Sequence, residues 1–150
     1  MNKTITPSKL YKLNLAAGFL HLVQAIVVLV VSKSFTIPVS ANFLAFDDST
    51  QTLQPASTSI FGLSLPLLIA SFFFLSAFFH FFIATVYRKK YESDLKLGIN
   101  RARWIEYSLS ASIMMVAIST LVGVYDFSSL LMIFALTSVI GNTTISFFTR

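Results

Sequence analysis

The sequence has no cysteine and very little charge. Its 150 residues include 11 Lys and Arg and 6 Asp and Glu, so charged residues make up only 11%. Without cysteine the chain has no disulfide, no thiolate metal site and no cysteine nucleophile. An average soluble domain contains about 25% charged residues, so a soluble fold is disfavoured. The hydrophobic content of 55% and the mean hydropathy of +0.78 indicate a bundle of membrane-spanning helices instead.

Signatures of catalysis and of nucleic-acid binding are also missing. The sequence contains no glycine-rich phosphate loop, no GxSxG elbow and no HExxH pair. We therefore expect that the chain is not an enzyme. The net charge of +5 would suit nucleic acid, but the basic residues stand beside apolar segments. That placement is typical of orientation signals in a membrane, so the expected partner is the lipid bilayer and not nucleic acid.

Four apolar segments follow one another in a single predicted transmembrane domain covering residues 1–150. Each is close to the roughly 20 residues that a spanning helix needs. The first is too long for the core of a signal peptide, so we interpret it as a retained helix. The sequence thus predicts an all-α integral membrane protein, a polytopic helix bundle. Its helices are expected at about residues 10–31, 60–87, 102–124 and 127–148.

The connections between these segments differ in character. Residues 32–59 are polar and rich in Ser and Thr, with β-branched and aromatic residues on both sides of Asp47-Asp48-Ser49. This pattern predicts a short β-hairpin with its turn at those three residues. Residues 88–101 form a short, strongly basic connection that we interpret as a loop.

The positions of Lys and Arg predict the orientation of the bundle. Lys3, Lys9 and Lys12 precede or begin the first segment, and residues 88–103 carry six Lys and Arg. The first connection carries only Lys33. Because basic residues near helix ends stay on the cytoplasmic side, we expect a multi-pass protein of the cell membrane with a cytoplasmic N-terminus. Residues 32–59 are then extracellular and residues 88–101 cytoplasmic.

Ionisable residues inside the apolar segments are the candidate functional residues. Glu106 lies at the start of segment three, and His21 and His80 lie in segments one and two. Such residues are expensive in a bilayer and are functional-site hypotheses by default. A rise of 1.5 Å per residue puts all three in the cytoplasmic half, at depths compatible with one polar cavity. Ser76 shares a helix face with His80, and Ser110 lies one turn after Glu106.

Each of these residues also has a simpler interpretation. Glu106 also fits an ion pair with Arg101 or Arg103 that has no further role, and either histidine fits a hydrogen bond to a neighbouring carbonyl. Serines in apolar helices commonly bond to carbonyls of their own helix. Two His and one Glu are potential zinc ligands, but they lack the close spacing of a metal motif, so no metal site is predicted. A buried carboxylate is more typical of a counter-ion to a bound cation, or of a proton site.

The run RWIEYSLSASIMMVAISTLVGVYD strongly resembles the third helix of heliorhodopsins, the retinal proteins of inverted topology. GFLHLVQAIVVLV and SFFFLSAFFHFF are similar to the first and second helices of that family, so the resemblance covers nearly the whole chain. It implies that Glu106 is the counter-ion of the protonated retinal Schiff base. It also implies that Ser76 and Ser110 hydrogen-bond around this counter-ion. His21 and His80 would belong to a polar cavity that accepts or stabilises the proton after illumination.

Further expectations follow from the same resemblance. Tyr107, Ile113 and Met114 would form walls of the retinal pocket, with all-trans retinal as the cofactor. The long first connection would form a strand pair over residues 34–54 and contribute to a homodimer. The implied function is light sensing and signalling through an unknown cytoplasmic partner.

The chain departs from the family in one respect. Heliorhodopsins have seven helices with the retinal lysine in the seventh, whereas the four predicted here resemble helices A–D. The resemblance therefore implies a truncated portion without the covalent lysine. Two functions of other classes remain open: a small ion or proton transport subunit that uses Glu106, and a membrane scaffold whose basic loop meets acidic lipid or a partner protein. The lysines all fall in predicted tails or loops: Lys3, Lys9, Lys12, Lys33, Lys89, Lys90 and Lys96.

Overall fold

A computed structural model describes residues 7–148 and folds them mainly into helices. A two-stranded antiparallel sheet follows the first helix. This arrangement confirms the predicted helical membrane fold and its hairpin. In chain order the elements are α1 Pro7–Val31, β1 Thr36–Asp47, β2 Thr52–Ser64, α2 Leu65–Ala84, α3 Arg88–Lys96, α4 Arg101–Leu121 and α5 Phe127–Phe148.

Three of the described helices are long and apolar enough to cross a membrane. They are Ser8–Val31, Leu65–Ala84 and Arg101–Leu121. The apolar part of α5 found within the described residues, Phe127–Gly141, is shorter. The outward faces of the three spans carry large apolar side chains, whereas α4 buries Glu106 and several hydroxyls inside the bundle. This distribution suits a lipid bilayer, where polar groups must find hydrogen-bond partners inside the protein.

The hairpin is longer than the prediction of residues 34–54, and helix two starts later than residue 60. The strands pair from Thr36 opposite Ser64 to Asp47 opposite Thr52, with a register shift between Val39 and Ser40. Residues 60–64, predicted as helix, therefore complete β2. Local hydropathy does not separate an apolar strand from an apolar helix. The pairing with β1 decides here, and α2 begins beside Pro66, where a helix tolerates proline.

Residues 88–101, predicted as a loop, contain the short helix α3. Its apolar side packs against Ile83, Ala102 and the first turn of α1 through Tyr91 and Leu95. Gly98 ends the helix with a φ of 73°, and the amide of Ile99 bonds to the carbonyl of Asp94. A glycine in the left-handed region is the common way to end a helix.

Three further boundaries differ from the predictions. Helix α2 ends at Ala84 instead of residue 87. Helix α4 ends at Leu121 instead of residue 124, because Gly123 adopts a φ of 95° and the amide of Val124 bonds back to Ser119. Helix α1 begins at Pro7, so Lys9 and Lys12 lie in its first turns and not in a tail. Lys89, Lys90 and Lys96 likewise lie in α3. Lys3 lies outside the described residues.

The three spans and α5 pack as neighbours in the order α1, α2, α4 and α5. Helices α4 and α5 approach each other closely where Gly141 faces Ser108. A Cβ atom added to Gly141 would lie 2.7 Å from the Cβ and 2.8 Å from the Cα of Ser108. The Ser108 hydroxyl also donates to the carbonyl of Ser138 at 2.7 Å. Small residues and interhelical hydroxyl bonds of this kind hold membrane helices together.

Replacement of Gly141 by alanine is expected to destabilise the bundle by about 1–3 kcal/mol, because the new methyl group meets backbone that cannot easily move aside. The change is measured as the free energy of unfolding in mixed detergent. Val139→Ile adds one methylene at a position that is well exposed and serves as the control. Equal stability of Gly141→Ala and the control would show that α4 and α5 do not approach as described.

The two ends of the bundle carry opposite charges. The end formed by the start of α1, α3 and the start of α4, here the α3 end, carries most of the basic residues. The opposite end, here the hairpin end, carries Asp47, Asp48 and Asp126, and Lys33 is its one cation among residues 7–148. At this end the Ser40 amide donates to the carbonyl of Tyr125 at 2.9 Å. The hairpin is therefore joined to the turn between α4 and α5.

Asp126 holds this junction together. Its Oδ2 accepts from the amide and hydroxyl of Ser129 at 2.8 and 3.0 Å, and its Oδ1 accepts from Asn42 Nδ2 at 3.2 Å. The Ser129 amide, followed by the Ser129 hydroxyl, lowers the pKa of Asp126 below its ordinary value of 3.8. A carboxylate at the first turn of a helix is stabilising there.

We expect the contribution of Asp126 to stability to depend on pH. Because the folded state lowers its pKa, the contribution is complete above pH 3.8 and is lost as the pH falls through the folded value. Thermal unfolding of the wild type and of Asp126→Asn, measured from pH 6 to pH 2, should converge at the acid end of the range. A difference in melting temperature that is constant over this range would contradict the assignment.

Candidate functional site

The site starts from a buried carboxylate between two membrane-spanning helices. Glu106 projects from the second turn of α4 and is only 7% exposed. The hydroxyl of Ser76, on α2, donates to its Oε1 at 2.9 Å. Ser76 is also buried. The structure therefore brings together two candidate residues that lie 30 positions apart in the sequence.

Arg103 contacts both Glu106 and His80. Its Nη1 lies 3.1 Å from Glu106 Oε2 and 3.1 Å from His80 Nε2. A guanidinium Nη carries two hydrogens, so one nitrogen can donate to both acceptors. The Arg103 side chain is 44% exposed, so this cation lies at the edge of the buried site. The pairing of Glu106 with Arg103, left open by the sequence, is present in the fold.

The hydrogen bonds around His80 define its tautomer. Asn14 Nδ2 donates to the carbonyl of Leu10 at 3.0 Å, which orients the amide so that its Oδ1 faces His80. His80 Nδ1 lies 3.0 Å from this Oδ1 and must donate to it. Its Nε2 therefore carries the lone pair and accepts from Arg103. His80 is neutral in this arrangement, since a second proton on Nε2 would face the guanidinium.

His21 joins the site from α1. Its ring stacks on the His80 ring with the centroids 5.5 Å apart, and on its other side Phe73 lies at 6.1 Å. Its Nδ1 lies 2.9 Å from Gln24 Oε1, three residues further along the same helix. The two histidines thus lie side by side, and each has a hydrogen-bond partner of its own.

The resulting network crosses three helices without a break. It runs from Asn14 on α1 through His80 on α2 and Arg103 on α4 to Glu106, and returns to α2 at Ser76. No buried side-chain polar atom of the described residues lacks a hydrogen-bond partner. Within the same part of the chain, no three His, Asp or Glu side chains are arranged to hold a metal ion.

A pocket of about 1000 Å³ opens beside this network. Its polar wall contains Glu106, Ser76, both histidines and Arg103. Helix α5 closes part of it with Thr137 and Gly141. Apart from Asn100 and Ser110, the remaining wall is apolar and aromatic, formed by Phe72, Trp104, Tyr107, Ala111, Met114, Met115 and Ile140.

The other predicted site residues separate into two groups. Ser110, Tyr107 and Met114 line the pocket. The Ser110 hydroxyl, however, donates to the Tyr107 carbonyl of its own helix at 3.4 Å, and not to Glu106 as the resemblance implied. Ile113 is not among the lining residues. One residue is about 100° of helix rotation, and this turns Ile113 away from the stripe that contains Met114.

The sequence analysis did not predict Asn14 as a site residue and predicted only one of the two contacts of Arg103. Asn14 was not selected, although it lies seven residues before His21 and so on the same helix face. Arg103 was considered only as a partner of Glu106, whereas it also bonds to His80. The spacing of Asn14 was a usable signal. The contact between Arg103 and His80 depends on how α2 and α4 meet, and no local pattern reports it.

The arrangement can bind a cation beside an apolar ligand. Oε1 of Glu106 accepts a hydrogen bond from Ser76 and Oε2 forms the ion pair with Arg103, and both oxygens have further lone pairs available. A cationic group entering from the pocket can therefore pair with Glu106 while Ser76 and Arg103 stay in place. The aromatic and methionine walls suit a long apolar molecule, so the pocket fits a ligand with an apolar body and one positive end.

Comparison with known proteins gave one family. A family model described as Heliorhodopsin matches residues 10–143, which is most of the chain. The match includes most of α1, the hairpin, every residue of the network and most of α5. No curated protein matches the chain.

Proposed function

The chain belongs to the heliorhodopsin family of light-sensing retinal proteins, and on this premise we propose that it forms the counter-ion half of a retinal photoreceptor. Glu106 is the proposed counter-ion. The observation that carries the proposal is the buried Glu106 carboxylate, which Ser76 and Arg103 hold at the edge of a largely apolar pocket. We do not assign an enzymatic reaction to this site.

Retinal fits the pocket by the character of its walls. Phe72, Trp104 and Met114 would contact the polyene, and Glu106 would face its charged end. Bound retinal supplies a light-absorbing polyene whose linkage to a lysine amine carries a proton and therefore a positive charge. In a site of low dielectric constant such a charge is stable only beside an anion. In this proposal the lysine comes from a polypeptide segment outside these 150 residues.

His80 and His21 are the proposed proton-accepting groups. Neutral His80 can take a proton on Nε2 only if Arg103 moves away from this atom. With Arg103 in place, a protonated His80 would put two positive charges in direct contact. After moving away, Arg103 would bond to Glu106 alone. In the proposed polar cavity His21 is thus the accessible base, whereas protonation of His80 depends on the position of Arg103.

The proposed orientation has the α3 end in the cytoplasm of the cell. The unequal distribution of basic residues between the α3 end and the hairpin end supports it. A homodimer formed through the hairpin, and a cytoplasmic signalling partner, are proposals that rest on the family alone.

The test is the visible absorption spectrum of the purified chain after addition of all-trans retinal. The chain would be expressed alone and together with a polypeptide carrying the last three helices of a heliorhodopsin. A matched control replaces the retinal lysine of that polypeptide by alanine. We expect a visible band only for the pair that retains the lysine. A folded pair without any band would contradict the retinal proposal.

A transport function is the alternative, because a buried carboxylate beside two histidines is also typical of a site that carries protons. A transport subunit would show retinal-independent ion or proton flux in vesicles, and Glu106→Gln would abolish it. A scaffold would show no flux, and Glu106→Gln would change only its stability. Flux without retinal is therefore the result that would replace the photoreceptor proposal.

A further inference from the structure

Helix α3 connects the ends of two membrane-spanning helices. Helix α2 ends at Ala84 and α4 begins at Arg101, so Arg88–Lys96 lies where the spans leave the bilayer. A nine-residue helix in this position has one side against the bundle and another toward the headgroups. The net charge of the side toward the headgroups depends on which charged side chains of α3 pair with other groups of the protein.

Both acidic residues of α3 pair with other side chains of the protein. Glu92 pairs with Arg88 at 2.9 Å, and buried Asp94 accepts from the Tyr87 hydroxyl at 3.2 Å. The burial of Tyr87 and the nearby Asp94 charge raise the pKa of this tyrosine, so it remains a donor at neutral pH. The acidic side chains therefore do not neutralise the outer face of the helix.

The exposed residues of α3 and its flanks are basic or apolar. Lys89, Lys90 and Lys96 are exposed. Val86, two residues before the helix, and Leu97, immediately after it, are 80% and 72% exposed. Lysines between two exposed apolar side chains are typical of a helix that lies in the membrane interface, where the aliphatic groups enter the acyl boundary and the ammonium groups meet phosphates.

The helix is also firmly attached to the bundle. Tyr91 is buried against Ile83 and Ala102, and the guanidinium of Arg88 lies 4.7 Å from the centre of the Tyr11 ring. The lysines are thus presented from a fixed backbone. A preorganised group of cations binds with a smaller entropic penalty than a flexible loop.

We propose that the outer face of α3, formed by Lys89, Lys90 and Lys96, is a binding surface for the headgroups of anionic phospholipids. The charge of the face and its position at the ends of the spans select lipid as the occupant, and Val86 and Leu97 give it contact with the acyl region. Each lysine near an anionic membrane surface contributes about 1 kcal/mol, which corresponds to about fivefold in relative binding. The proposal does not depend on retinal or on light.

The experiment measures lipid selectivity of the chain reconstituted in vesicles, using spin-labelled phosphatidylglycerol and phosphatidylcholine. The fraction of each lipid immobilised at the protein gives a relative association constant. We expect a preference for phosphatidylglycerol that falls about fivefold in Lys90→Gln and further in the triple variant Lys89→Gln/Lys90→Gln/Lys96→Gln. Lys33→Gln makes the same change of charge at the hairpin end and should leave the preference unchanged.

Salt and soluble phosphate separate the possible ligands. Sodium chloride should weaken the preference, since exposed charges are screened, whereas inorganic phosphate should act only as strongly as chloride at equal ionic strength. Specific competition by phosphate would overturn the lipid assignment in favour of a free-phosphate site. A wild type without any preference, or a triple variant that keeps it, would also overturn the proposal and leave an acidic protein as the candidate for this face.

Discussion

Replacement of Glu106 by glutamine is expected to lower, by about two to four units, the pH at which the retinal pigment loses its visible band. The pigment is the chain assembled with the last three helices of a heliorhodopsin. Removal of one partner of a buried ion pair is worth about 3–5 kcal/mol, and one pH unit corresponds to about 1.36 kcal/mol. The anion is lost, so the cationic form of the chromophore should give up its proton at a lower pH.

Two variants serve as controls for this titration. Glu106→Asp keeps the negative charge and should shift the midpoint less than Glu106→Gln. Ser76→Ala keeps the carboxylate but removes one hydrogen bond to it, and a bond of this kind is equivalent to about one unit. If Glu106→Gln titrated at the same pH as the wild type, Glu106 would not be the counter-ion.

Replacement of Arg103 by glutamine is expected to destabilise the bundle by about 1–2 kcal/mol. The variant leaves the buried Glu106 without its cation and His80 without the donor to Nε2. Loss of one partner of a buried polar group costs about 1–3 kcal/mol, and the partial exposure of Arg103 puts the effect in the lower part of this range. The measurement is reversible unfolding in mixed detergent, followed by circular dichroism.

Arg101→Gln is the matched control, because it removes the same charge from an exposed position two residues away. It should change stability by no more than about 0.5 kcal/mol. The double variant Arg103→Gln/Glu106→Gln should be less destabilised than the sum of the single variants, by at least about 0.5 kcal/mol. Additive effects would show that Arg103 and Glu106 do not interact in the folded protein.

The sequence predicted the three spans but not the extent of β2, because a span depends on local residues and a strand depends on its partner. Composition and hydropathy were sufficient for the three spans, because a membrane helix is defined by about 20 local residues. The extent of β2 was not predictable in this way. Residues 60–64 are largely apolar and lie next to apolar residues of α2, and only the pairing of residues 61–64 with residues 36–39 makes this stretch a strand. Such pairing is a property of two distant segments.

Helix α3 was missed although its sequence contained a signal. Seven of its nine residues are charged or polar, and this composition favoured a loop. Tyr87, Tyr91 and Leu95, however, recur every four residues and form the apolar side that packs on the bundle. A periodicity of this kind predicts an amphipathic helix even when the mean hydropathy is low.

The sequence identified most residues of the candidate site but not the hydrogen bonds that join them. Glu106, His80 and His21 were identified because each is ionisable within an apolar segment. The bonds from His80 to Asn14 and Arg103 require three helices to meet at particular angles. Helix packing fixes such contacts through the shapes of many side chains, so no short pattern in one segment reports them. The same holds for Ser110, which is in the predicted pocket but bonds to its own helix.

The most direct test of the central claim uses a small anion to replace the Glu106 carboxylate. The Glu106→Gln pigment would be held at a pH between the two titration midpoints, and its visible spectrum recorded without halide and with increasing sodium chloride, beside the wild type in the same solutions. With Glu106 as the counter-ion, the variant lacks the visible band without halide and regains it as chloride enters the open pocket, while the wild type does not respond. A wild-type band in the variant before any halide is added would contradict the account.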